Sequence, residues 1–133
     1  MELAKVTVGR LIEAAHRAQA QAYAPYSNFP VGAAVLGTDG RVFLGCNVEN
    51  SSFGLTVCAE RNAVAAALVG GTRPTAVAVV VNGKAVAPCG ACRQVLAEFD
   101  PEMPVVLASA TDGDQRVTSL DALLPAAFHF GKS

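Results

Sequence analysis

Long apolar runs are missing from this 133-residue chain. None approaches the ~18 residues that a membrane-spanning helix needs, so no transmembrane segment is expected. The opening MELAKVTVGR lacks the basic start, apolar run and small-residue cleavage site of a secretory signal. Basic clusters are absent too: ten Lys plus Arg stand against eleven Asp plus Glu, a net charge of −1. That leaves no electrostatic footprint for a nucleic acid or an anionic membrane, and a small neutral ligand fits better. With no repeat, low-complexity tract or linker, one domain over residues 1–133 is expected, long enough to bury a sizeable core.

What is present is unusually apolar. Hydrophobic residues make up 52% of the chain and the mean hydropathy is +0.37. The surplus apolar surface suggests self-association. Along the chain, residues 7–23 suit a helix, with Thr7 as N-cap and Leu11, Ala15, Ala18 and Ala22 on one stripe. The runs VGAAVLG and RVFLGCNV read as strands joined by the hairpin signal TDG. VCAERNAVAAALV enters a second helix that ends near Gly70-Gly71. TAVAVVV reads as a buried central strand. APCGACRQVLAEFD is a loop entering a helix, PVVLAS a strand, and SLDALLPAAF a short helix with a tail. This α-β-β-α-β-α-β-α order fits a sheet covered by helices on both faces.

Four cysteines stand at 46, 58, 89 and 92. In a chain read as cytosolic, such spacings point to metal or catalysis before disulfides. Cys89 and Cys92, at i and i+3 of a helix start, project from one face and can share one zinc ion. Alone, that C-x-x-C motif serves equally well as a redox dithiol. Cys58 shifts the balance, since it also lies at a helix start, and three sulfurs leave a fourth zinc position open. An open position distinguishes a catalytic zinc site from a structural one. Three thiolates on Zn²⁺ carry a formal charge of −1, which two helix N-termini partly offset and the Arg61 guanidinium completes by hydrogen-bonding the sulfurs. Glu60, by itself an ordinary glutamate at a helix start, becomes a candidate proton carrier beside that site. Cys46, on a strand-like run twelve residues before Cys58, reads as a buried core thiol. A four-cysteine structural site including Cys46 is the rival. His16 and His129 are read as surface residues and assigned to no metal.

Cys58-Ala59-Glu60 with Pro88-Cys89-Gly90-Ala91-Cys92 reproduces the zinc-deaminase signature in its all-cysteine form. With YSNFPVGAAV, NVENSSFGLTVCAERNA, PCGACRQVL and LLPAAF, in order over nearly the whole chain, the sequence resembles the small homotetrameric cytidine deaminases. Blasticidin deaminases share C-A-E and P-C-G-x-C-R, but the chain differs from them at NVEN and at the arginine after the glutamate. The resemblance implies a three-layer α/β/α sandwich with a mixed sheet of about five strands, and one zinc per chain. It implies a cytosolic hydrolase of pyrimidine salvage that converts cytidine and 2′-deoxycytidine to the uridine product and ammonia, with Glu60 shuttling protons. It places Asn47 and Glu49 at the ribose 3′-hydroxyl, Phe29 against sugar and base, and the Ala59 backbone at the pyrimidine. Phe128 is expected to reach the base from a neighbouring subunit of a homotetramer.

Overall fold

The apolar run at 75–81 lies in the middle strand of a five-stranded sheet. The computed structural model describes residues 2–131. In chain order the elements are α1 (Lys5–Gln19), β1 (Gly32–Gly37), β2 (Val42–Cys46), a 3₁₀ turn (Phe53–Leu55), α2 (Ala59–Val69), β3 (Pro74–Val81), α3 (Gly90–Ala97), β4 (Pro104–Ser109), β5 (Gln115–Ser119) and α4 (Leu120–Leu123). The sheet order is β2-β1-β3-β4-β5. β1 is antiparallel to both β2 and β3, β3 and β4 are parallel, and β5 returns antiparallel to β4. The parallel pair needs a crossover, and α3 supplies it.

Strand alternation divides the core into two layers. Val35, Val77, Val79, Val81, Val105 and Leu107 pack with α2 and α3. Ala34, Ala76, Ala78, Val80, Val106 and Ala108 face α1. The α1 side is mostly alanine, so the helix lies close to the strands. A Cβ on Gly32 would stand 1.9 Å from the Ala15 carbonyl oxygen.

The same closeness fixes α2. A Cβ on Gly45 would lie 2.3 Å from the Ala59 carbonyl oxygen and 2.3 Å from the Ala63 nitrogen, at the first turns of the helix that begins beside Cys58. Gly45→Ala should therefore cost about 1–3 kcal/mol of stability, as overpacking does. It should also reduce zinc occupancy, because the helix start is pushed off the strand. Urea denaturation and metal analysis of the variant check both effects.

Several expected boundaries move. α1 starts at Lys5 with Ala4 in the capping position, so Thr7 lies inside the first turns and caps nothing. It stops at Gln19 instead of residue 23, because Tyr23 pairs with the strand end beyond β2: its N–H donates to the Asn47 carbonyl and its carbonyl accepts from Glu49. The hairpin at TDG forms, with Gly40 at φ 87°, a conformation glycine adopts without strain. β5 has no apolar pattern that announces it. It is a polar edge strand whose one valine, Val117, is exposed, and only its ladder with β4 makes it a strand.

Candidate active site

Cys58 is the N-cap residue of α2 and Cys89 that of α3, while Cys92 is the third residue of α3. The Cys58 side chain makes no capping bond to α2, and the Cys89 sulfur has only the Cys92 amide of α3 beside it, so both sulfurs belong to the cluster. The loop before Cys58 is pinned by the reciprocal Val48–Val57 backbone pair, at 3.0 Å each way. The three Sγ atoms lie within 4.8 Å of one another, with Cys58 and Cys89 3.8 Å apart. Sulfurs ~2.3 Å from a tetrahedral zinc stand about 3.8 Å apart, whereas a disulfide requires about 2.05 Å. The donor set therefore fits zinc. Among the described residues this is the one group of three metal-ligating side chains.

Electrostatics follow the burial of each group. Burial, and then the nearby Glu60 charge, push the Cys92 thiol far above its ordinary range. Burial also raises Cys58, against the pull of the Arg61 hydrogen bond. Cys89 is desolvated too, but the Cys92 backbone N–H and the neighbouring thiols hold it below the usual value. Such thiols ionise together only around a cation, which deprotonates its ligands outright. Arg61 Nη2 lies 3.8 Å from the Cys58 sulfur and 3.4 Å from the Thr56 carbonyl oxygen. Its Nε is buried without a partner.

Glu60 is 5% exposed, and desolvation raises its carboxyl against its own backbone N–H and the Arg61 charge. It lines a cavity of about 210 Å³ together with Cys58, Cys89, Ala59, Phe29 and Asn47. Val79 and Val81 add an apolar wall. Both were legible as strand residues, though not as site residues. A larger groove of about 1170 Å³ lies on the opposite face, between α1 and the β4–β5 side of the sheet, away from the sulfurs.

Asn47 and Glu49 do work that was not anticipated. Asn47 Oδ1 accepts from Val31 N–H at 2.9 Å and Nδ2 donates to the Phe29 carbonyl at 3.0 Å. Glu49 Oε1 accepts from the Tyr26 and Ser27 amides at 2.9 and 3.2 Å, and the Ser27 hydroxyl donates to Oε2. The Ser27 hydroxyl in particular holds the Glu49 carboxyl below its usual range. Together they brace the 26–31 segment that presents Phe29. Phe128 stands apart from the cavity of its own chain and is 70% exposed.

Cys46 needs a correction. It is half-buried, not a buried core thiol, because β2 is the sheet edge. Its Sγ donates to the Gln21 carbonyl at 3.5 Å, outside the sulfur cluster. Cys46→Ala should keep about one zinc per chain. Metal analysis of the purified variant checks this, and loss of zinc would revive the four-cysteine site.

Three sulfurs at zinc-binding separations, two of them from residues that line a cavity with a buried carboxylate, form the kind of three-ligand donor set that zinc takes. The family model of the cytidine and deoxycytidylate deaminase zinc-binding region matches residues 6–108. The chain belongs to this family. It is 50% identical over 124 residues to a cytidine deaminase of Sporosarcina psychrophila, covering 91% of this chain and 90% of that one. The fold superposes on the crystal structure of the Burkholderia pseudomallei cytidine deaminase with a TM-score of 0.85 and 56% identity, covering 90% and 98% of the two chains. For the Mycobacterium tuberculosis cytidine deaminase the TM-score is 0.77 at 45% identity, with 91% and 96% covered. The five-stranded mixed sheet between helices is the fold of these enzymes.

Proposed function

We propose that this chain hydrolyses cytidine and 2′-deoxycytidine to uridine or 2′-deoxyuridine and ammonia, as a step of pyrimidine salvage. The observation that carries the reading is the buried Glu60 carboxylate sharing one cavity with the Cys58 and Cys89 sulfurs. Zinc held by Cys58, Cys89 and Cys92 supplies a Lewis acid that brings the pKa of water to about 7. Glu60 would carry one proton of the attacking water to N3 of the base and the second to the 4-amino group. The C4–O bond forms, the C4–N bond breaks and ammonia leaves.

Position supports the roles of Ala59, Phe29 and Asn47, which line the cavity. Ala59 and Phe29 wall the cavity, where backbone and ring meet a flat base. Asn47 and Glu49 serve the ribose 3′-hydroxyl, their amide and carboxylate already oriented by the 26–31 backbone. Among the described residues no lysine or arginine lines the cavity, which favours nucleosides over nucleotides. At about 210 Å³ it is smaller than the ~300–1,000 Å³ of most ligand sites, which leaves room in this reading for a wall from a second copy. Phe128 of a neighbouring copy supplies it in a homotetramer. The exposed Phe53 and Leu55, and Tyr26 packed edge-on against Phe53, form apolar surface for such contacts. The whole chain acts as one cytoplasmic domain.

Zinc-loaded protein mixed with cytidine should show the fall in near-ultraviolet absorbance that accompanies uridine formation, with ammonia released one for one. Cytidine 5′-monophosphate should react far more slowly. A zinc-replete sample that leaves cytidine unchanged would sink the proposal.

A further inference from the structure

Arg93 directly follows the last cysteine of the metal site, and its side chain turns back over the start of α3. Nε donates to the Pro88 carbonyl at 2.7 Å, and Nη1 donates to the Leu123 carbonyl at 2.7 Å. The first acceptor belongs to the residue immediately before Cys89. The second lies thirty residues beyond Arg93, at the end of α4. The next residue continues the grip, since Gln94 Nε2 donates to the Phe128 carbonyl at 3.0 Å. Between these two anchors Ala126 sits at φ 54°, a left-handed conformation that costs a non-glycine residue energy and persists only where its surroundings hold it.

An arginine after a helix start is by default a solvated surface charge. Arg93 is half-buried, and the ion pairs among the described residues, Arg17–Glu13 and Arg41–Asp39, do not involve it. Its guanidinium is spent on two backbone carbonyls from two separate segments. Charge-assisted bonds of this kind are stronger than neutral ones. A planar fork can span both acceptors, whereas a lysine ammonium is a single point charge.

We propose that Arg93 is a positioning residue that ties the turn carrying Cys89 to the segment from Leu123 to Phe128. Through it, zinc retention and the placement of Phe128 depend on one side chain. The Phe128 half rests on the reading of that ring as a nucleoside contact, while the metal half does not.

The test compares the full chain with Arg93→Met, Arg93→Lys, Phe128→Ala and the Arg93→Met/Phe128→Ala double variant. Two quantities are read: zinc release to a chromogenic chelator, and the Michaelis parameters for cytidine. Arg93→Met should release zinc about tenfold faster or more, the scale seen when groups supporting a metal ligand are lost. The loss in zinc-saturated enzyme should fall on KM more than on kcat. Phe128→Ala should raise KM less in the Arg93→Met background than in the parent, because the segment is already loose. Arg93→Lys should recover part of each effect. Zinc release at the parent rate, KM effects that simply multiply, or full recovery in Arg93→Lys would each overturn the proposal. If Arg93→Met does not fold, Arg93→Lys carries the same comparisons. An unchanged KM in Phe128→Ala overturns the Phe128 half, and the chelator measurement then decides the metal half alone.

Discussion

Glu60→Gln should lower kcat for cytidine by about 10²–10⁴-fold, the range that a positioned general acid–base group contributes, with zinc still bound at one per chain. Glutamine keeps the volume of the buried side chain, so neither the packing of α2 nor the sulfur geometry is disturbed. What disappears is the group that carries both protons. KM should change far less than kcat, because the cavity walls remain, and a group acting only in the transition state shows itself in kcat. Stopped-time assays on metal-replete protein give the comparison. Near-parental turnover in Glu60→Gln would move the proton chemistry to another residue, and among the described residues no other carboxylate lines the cavity.

Cys89→Ala should remove the zinc. Cys89 is the most exposed of the three ligand cysteines, so alanine there disturbs little of the core and the consequences are those of metal loss. Two thiols remain where three held the ion, and dialysis should leave the variant nearly metal-free and inactive. Stability should fall with it. A metal present at about 1,000 times its Kd contributes about 4 kcal/mol, which for a domain of this size is a Tm lower by about 10–15 °C. The parent treated with a strong chelator should show the same drop and recover when zinc is returned. A Cys89→Ala protein that keeps both its zinc and its Tm would mean that the ion sits elsewhere.

Much of the framework was legible because it rests on local rules. The alternating and continuous apolar runs gave β1 to β4, and the TDG turn gave the β1–β2 hairpin. Three cysteines at two helix starts gave the metal site, because i and i+3 on one face is a geometric constraint visible in one dimension. Features decided at long range were not legible. α1 ends where Tyr23 finds the strand end beyond β2, and nothing near residue 19 announces it. β5 exists through its ladder with β4, without a pattern of its own. Cys46 was misjudged because a strand's position at the sheet edge is not written in its residues.

The site shows the same division. Cys58, Glu60 and Ala59 arrive together because they are neighbours on one helix start. Asn47, Glu49 and Arg93 spend their polar groups largely on backbone amides and carbonyls of other segments. Backbone partners have no side-chain identity, so the sequence carries no trace of the pairing. Motif likeness points to Asn47 and Glu49 but not to their bracing contacts, and nothing in PCGACRQVL marks the carbonyls that Arg93 binds.

The measurement that bears most directly on the zinc-and-glutamate site is a back-titration. Chelator-stripped protein receives zinc in small increments, and cytidine turnover is recorded at each. Turnover should rise linearly from near zero and level off at one zinc per chain, with Cys46→Ala following the same line and Glu60→Gln binding the zinc without the turnover. Turnover in the stripped protein, a plateau at another ratio, or a line that depends on Cys46 would contradict a single catalytic zinc on Cys58, Cys89 and Cys92.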